Sequence, residues 1–275
     1  MGESFSASFA QEGFVRAYAE VLVPRLFAPW AQLLLDAVGP CQGAAVADIA
    51  CGPGTATREA AARVGPRGSV TGCDFSPAMI AFARTMAAPA ASAPIQYKVS
   101  PAAPLDMPDA SCDLLLCQQG LQFFPDPAAS VHEMRRALRR HGRVAIALWS
   151  PIERCGVYNE LYRVLKELVG ASAAEELKKP FSWPGAEQLR TLLAAVGFHS
   201  IQIEERERPL LFEGGVRQCL RTLEVTPFAE AVTPKDARAQ ADLLALAQRH
   251  LAPVTRPDGT VQAKIASLIA TAAVA

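Results

Sequence analysis

The sequence predicts an α/β fold: a doubly wound, mostly parallel sheet with helices on both faces and a helical lid. Three observations carry that reading. Apolar runs of strand length alternate with Ala-rich or amphipathic segments from Ala44 to Leu148. The first run ends in an acid and a Gly-x-Gly turn, Val46-Ala47-Asp48-Ile49-Ala50-Cys51-Gly52-Pro53-Gly54-Thr55. The second, Ser69 to Cys73, ends in another acid, Asp74. An acid closing the second strand, about 20 residues after a glycine turn, is how an open parallel sheet holds a nucleoside.

The elements follow in chain order. Residues before Phe14 are small and polar enough to be loose. Phe14 to Val38 has helical apolar spacing and predicts a cap of one or two helices, broken at Pro24 and Pro29. Val46 and Ile49 suit a strand buried on both faces. Gly52 and Gly54 remove side chains where the backbone turns and approaches a ligand. Thr55 to Arg63 is Ala-rich and can start a helix whose free N–H groups face that ligand. Pro127 to Arg140 reads as an amphipathic helix and Gly142 to Leu148 as a strand. Ser150 to Pro184 interrupts the sheet and reads as helical, notably Val157 to Val169. Ala186 to Val196 is a helix with a glycine stop at Gly197. Ser200 to Arg206 is the expected sixth strand, and Gly214 to Ala252 looks mainly helical, interrupted by Pro227 and Pro234. Val261 to Ala273 has alanines that permit a helix. The expected organisation is a cap over residues 1–43 and an α/β body over 44–275, with a lid insertion at 150–184.

The glycine turn also narrows the ligand. The dinucleotide fingerprint Gly-x-Gly-x-x-Gly has Thr57 at its third glycine position, so a pyrophosphate loses a support. Asp48 would repel phosphate and can receive an ammonium group. The stretch Asp48 to Thr55 resembles the first motif of class I S-adenosylmethionine-dependent methyltransferases. Val70-Thr71-Gly72-Cys73-Asp74-Phe75-Ser76-Pro77-Ala78-Met79 is similar to that family's second motif, and Pro108 to Cys117 to its turn and fourth strand. Gln118 to Pro125 resembles its loop beside the sulfonium.

The resemblance implies a Rossmann-like seven-stranded sheet with Val261 to Ala273 as a final antiparallel strand. It implies S-adenosyl-L-methionine as cofactor and S-adenosyl-L-homocysteine as product. The implied cofactor residues are Asp48, Ala50, Gly52, Gly54, Asp74, Phe75, Met79, Ala102, Gln118 and Gln122. Asp74 would take the ribose hydroxyls, and Phe75 and Met79 would flank adenine and ribose. Two departures stand out. Ser100-Pro101-Ala102 replaces the usual Gly-Asp-Ala, so no side-chain acid reads the adenine amino group. Arg140-His141-Gly142 replaces a Pro-Gly-Gly turn far from the chemistry.

An acceptor pocket is expected over the carboxyl ends of the strands, roofed by the cap and the insertion. Its expected wall is Tyr18, Gln119, Phe123, Trp149 and Tyr158, with Phe27, Trp30, Arg154 and Trp183 as further candidates. Aromatic residues also bury readily as plain core. Adjacent amides at Gln118 and Gln119 are poorly explained by packing. His132, His199 and His250 read as surface or structural, Glu153 and Tyr158 lack a recognisable partner for base chemistry, and no catalytic residue is assigned.

Composition sets outer bounds. The chain has 275 residues with 27 basic and 27 acidic side chains, which argues against a nucleic-acid surface. No apolar run is long enough to span a bilayer, and the N-terminus lacks a signal pattern. Seven cysteines without Cys-x-x-Cys spacing read as reduced thiols of a cytoplasmic protein, with no metal expected. A homodimer is compatible with the chain. The expected function is methyl transfer to the oxygen, nitrogen or carbon of a small molecule. A non-methylating reaction on the same fold and a non-enzymatic binding module stay open as alternatives.

Overall fold

The computed structural model describes residues 12–39 and 41–275. The looseness expected before Phe14 falls almost wholly outside them. Seven strands form one sheet: β1 Ala45–Ile49, β2 Ser69–Asp74, β3 Ile95–Val99, β4 Cys112–Gln118, β5 Leu138–Trp149, β6 His199–Phe212 and β7 Val261–Ala273. Their order is β3-β2-β1-β4-β5-β7-β6. The first five are parallel, and β7 runs antiparallel between β5 and β6. The order reverses between β1 and β4, which opens a crevice at their carboxyl ends. Asp48 pairs in register with Gly72 and Leu116, so Asp48, Asp74 and Gln118 stand along one edge of that crevice.

Eleven α-helices surround the sheet among the described residues: α1 Glu12–Val21, α2 Ala28–Val38, α3 Thr55–Val64, α4 Pro77–Thr85, α5 Pro127–Ala137, α6 Gly156–Val169, α7 Ala171–Ala174, α8 Ala186–Val196, α9 Gly215–Arg221, α10 Ala229–Val232 and α11 Ala237–Leu251. Local chemistry sets several boundaries. Ser76 accepts the Met79 N–H and Pro77 opens α4. Asp126 does the same for Ala129 ahead of Pro127 at α5. Gly197, at φ +93°, closes α8 in the left-handed conformation.

Alternation along the strands divides the core. Leu114 and Leu116 face a cluster with Trp30, Leu34, Leu35, Leu161 and Leu165, whereas Leu115 and Cys117 face one with Met134, Leu189 and Leu193. Leu22, Leu26, Trp30 and Val38 of the cap belong to the same cluster as Val46 of β1 and Ala147 of β5. Among the described residues no single helix is long and apolar enough to cross a membrane. One bent pair, Gly13–Val21 with Val23–Val38, reaches that length and composition, and the core holds Trp30, Leu34 and Leu35 from it.

The cap is divided just before Pro24, where Gly13–Val21 and Val23–Val38 meet at 45°; Pro24 and Pro29 each sit in the first turn of a helical segment, where the missing N–H has no partner to lose. Three expectations are corrected. Helix α5 ends at Ala137 instead of Arg140, because Leu138 is already extended and pairs with Cys112. The fifth strand accordingly starts before Gly142. The sixth strand runs on to Phe212, paired with β7 as far as Val261. Its Pro209 is tolerated because β6 is the sheet's edge. Val261 to Ala273, open on its composition, is the central antiparallel strand β7.

Candidate functional site

The turn after β1 is built from left-handed backbone. Ala50, Gly52 and Gly54 have φ of 58°, 52° and 77°. The Cys51 N–H donates to Cys73 O at 3.0 Å and ties the turn to β2. The Gly52 N–H donates to Asp74 Oδ2 at 2.8 Å, and the Ser76 N–H to Asp74 Oδ1 at 2.9 Å. Asp74 therefore braces both the glycine turn and the start of α4. A Cβ at Gly54 would lie 2.3 Å from the Tyr97 hydroxyl, so this glycine makes room for a ring from β3.

Asp48 is 1 % exposed. Its Oδ2 accepts from the Thr57 hydroxyl at 2.6 Å, and its Oδ1 is buried with no partner. Burial pushes this carboxyl up to about 7, with Asp74 adding to the rise and the Thr57 hydroxyl opposing it. Burial also raises Asp74, against the two backbone N–H donors that favour its ionised form.

These groups line a cavity of about 470 Å³ over the carboxyl ends of β1, β2 and β4, within the roughly 300–1,000 Å³ of small-molecule sites. Of the sequence-derived residues, Asp48, Ala50, Gly52, Asp74, Phe75, Met79, Ala102, Gln118, Tyr18, Gln119, Phe123, Trp149 and Tyr158 line it, as does Phe27. Gly54 and Gln122 do not: Gly54 faces Tyr97, and both Gln122 amide atoms are buried without a partner in the turn Leu121–Phe123. Trp30 is core at 1 % exposure. Arg154 lies outside, bound to Glu205 and Glu207, and Trp183 donates to Gly185 O away from the wall.

Sequence reasoning missed part of the wall. Leu177, Pro180 and Phe181 come from the insertion, Thr222, Val225 and Thr226 from the segment after α9, and Ile265 from β7. The insertion's aromatic content was a usable signal; the Thr222–Thr226 stretch carries no motif or spacing.

The two adjacent amides have separate tasks. Gln118 Nε2 donates to Phe27 O at 2.8 Å, pinning the cap to β4. Gln119 has φ 55° and its Nε2 donates to Ser267 Oγ at 3.0 Å. Ser267 spends its hydrogen on Leu148 O at 2.8 Å. Its oxygen must therefore accept, which fixes the orientation of the Gln119 amide.

The roof is aromatic. Tyr18 stacks on Phe27 with centroids 5.2 Å apart, Phe27 meets Trp149 at 6.3 Å, and Tyr158 meets Phe181 at 5.4 Å. Burial raises both Tyr18 and Tyr158, so both phenols stay protonated. Asp48 and Asp74 are the wall's carboxylates, and among the described residues no Lys, Arg or His lines it. A wall with two acids and no cation suits a cationic nucleoside and rejects a phosphate-bearing one.

Comparison with known proteins agrees with this geometry. A family described as "Methyltransferase domain" matches residues 47–146. The aklanonic acid methyltransferase DauC of Streptomyces sp. (strain C5) is 32% identical over 157 residues, covering 57% of this chain and 70% of that protein. A demethylmenaquinone methyltransferase of Staphylococcus aureus is 27% identical over 198 residues, covering 68% of this chain and 78% of its own length. Phosphoethanolamine N-methyltransferase 2 of Haemonchus contortus, solved with S-adenosyl-L-methionine, shares the fold with a TM-score of 0.61 at 18% identity, covering 99% of this chain and 60% of that one. Kinship at this level, on this sheet and over this crevice, places the chain in the class I S-adenosylmethionine-dependent methyltransferases, enzymes that pass a methyl group from that cofactor to a small molecule.

Proposed function

We propose that the chain methylates a small, uncharged, largely aromatic acceptor held under the roof formed by the cap and the 150–184 insertion. The observation that carries this is the wall beyond the acids: Tyr18, Phe27, Phe123, Trp149, Tyr158 and Phe181, with no basic side chain among the described residues. Two relatives are named for aklanonic acid and demethylmenaquinone, which supports an acceptor of small-molecule size.

The residues fit the cofactor. Asp48 Oδ1 is a buried acceptor without a partner, the place for an ammonium group. Asp74 has lone pairs beyond its two backbone bonds for the ribose hydroxyls. Ala50 and Gly52 let the backbone come close, and Met79, Phe75 and Ala102 flank the adenine. The bound cofactor supplies a methyl group already activated by its sulfonium. The protein's work is therefore alignment and dryness. Gln118 holds Phe27 over the site, and the stacked rings exclude water. Tyr158, Trp149, Phe123 and Gln119 orient the acceptor's flat face. With both tyrosines held neutral and no histidine or lysine in the described wall, the acceptor's own acidity serves in place of a protein base.

The test supplies S-adenosyl-L-methionine with an isotope-labelled methyl to separate reactions with 1-naphthol, histamine and phosphoethanolamine. Mass spectrometry follows the label. Transfer to the naphthol alone is expected. Transfer only to the cationic or phosphorylated amine overturns the proposal.

A further inference from the structure

The two acids at the cofactor end are not equivalent. Asp74 accepts backbone N–H bonds on both oxygens, which favours its charged form. Asp48 is as deeply buried, has a single hydroxyl donor on Oδ2, and leaves Oδ1 sealed without a partner. An ionised carboxylate that leaves one buried oxygen without a donor is costly. The groups around Asp48 do little to relieve it. Arg58 on α3 favours its charged form weakly, and Asp74 on β2 opposes that effect. Burial raises the nearby thiols Cys51, Cys73 and Cys117 and the Tyr97 phenol, and the charge of Asp48 adds to the rise.

We propose that Asp48 carries a proton in the cofactor-free enzyme, that the cationic cofactor expels it on binding, and that Asp48 thereby favours S-adenosyl-L-methionine over S-adenosyl-L-homocysteine. The sulfonium adds a positive charge that the product lacks. An ionised Asp48 is thus stabilised more by the methyl donor than by the spent cofactor. Loss of the methyl group weakens that hold and returns the proton, which assists product release. Burial that brings Asp48 to about 7 in the free chain is consistent with this assignment.

Titration calorimetry at pH 6, in buffers of different ionisation enthalpy, counts the protons. The cofactor's own amine is already protonated there. A free-enzyme group near 7 is about nine-tenths protonated at pH 6. Binding of S-adenosyl-L-methionine should therefore release up to about 0.9 proton per chain, and S-adenosyl-L-homocysteine clearly fewer. Below pH 7 the Kd for S-adenosyl-L-methionine should rise by up to about tenfold per pH unit. Asp48→Asn should abolish the release. Thr57→Val, which removes the hydroxyl bond favouring the charged form, should shift the release to higher pH. Heats independent of buffer in the parent protein overturn the proposal without any variant. Equal release with both ligands overturns the discrimination, and release that persists in a folded Asp48→Asn protein moves the proton to another group.

Discussion

Asp74→Ala tests the site and its scaffold together. In the parent, the carboxylate accepts from Gly52 N–H at 2.8 Å and Ser76 N–H at 2.9 Å. Ser76 is 1 % exposed and Gly52 only half-buried, so the bond lost at Ser76 is the harder one for water to replace. An unpaired buried donor costs about 1–3 kcal/mol, so the substitution should destabilise the cofactor-free protein by about that amount. Loss of bonds from ribose hydroxyls to a charged acceptor adds about 1.5–3 kcal/mol to binding, about 10- to 150-fold in Kd. Urea unfolding of the free protein measures the first quantity. Calorimetry with S-adenosyl-L-homocysteine, under conditions where the variant is folded, measures the second. Asp74→Asn keeps one acceptor oxygen and should fall between parent and Ala in both. An unfolding midpoint equal to the parent's refutes the bracing role, and an unchanged Kd removes Asp74 from the cofactor site.

Three further outcomes follow from the geometry. Gly54→Ala should destabilise by about 1–3 kcal/mol in urea unfolding, since the new Cβ meets the Tyr97 ring and the position sits at φ +77°. The stability of the cofactor-free protein should depend on pH through Asp48. Its folded value near 7 lies above the ordinary 3.8, so its contribution is full below about pH 4 and is lost as pH rises through 7; the parent's Tm should fall over that window more steeply than that of Asp48→Asn. Deleting Met1 to Trp30 should leave a chain without a cooperative melting transition, because Leu22, Leu26 and Trp30 belong to the main core; a truncated body that still melts cooperatively would show the cap to be dispensable.

What the sequence made legible is what is local. A strand, an acid and a glycine turn are neighbours in the chain, so the placement of Asp48, Gly52 and Asp74 at one crevice follows from short motifs. The helix stop at Gly197 and the caps at Ser76 and Asp126 are equally local. The misreadings come from long-range pairing. Glu207 to Pro209 is charged and contains a proline, which reads as lying past the end of a strand; register pairs with Ala266, Ile265 and Lys264 of β7 keep it extended. Gln118 lines the cavity, and what its motif did not announce is that its Nε2 donates to Phe27 O, a partner 91 residues away. Thr222, Val225 and Thr226 reach the cavity only because the segment after α9 folds back beside Tyr158, which no spacing announces.

The wall's charge is confined to one end, and this division follows from the topology. Both carboxylates close parallel strands, β1 and β2, on the same side of the switch point. The aromatic rings come from the cap, from β5 and from the insertion that leaves the sheet after Trp149. In the proposed function the sheet edge thus supplies polar groups for the cofactor, and the cap, β5 and the insertion supply the apolar surface for the acceptor. The link between the two is Gln118, whose backbone belongs to β4 and whose side chain holds the cap. Substitutions in the roof should accordingly alter acceptor choice while sparing the cofactor's affinity, provided that the Gln118 bond to Phe27 is left in place.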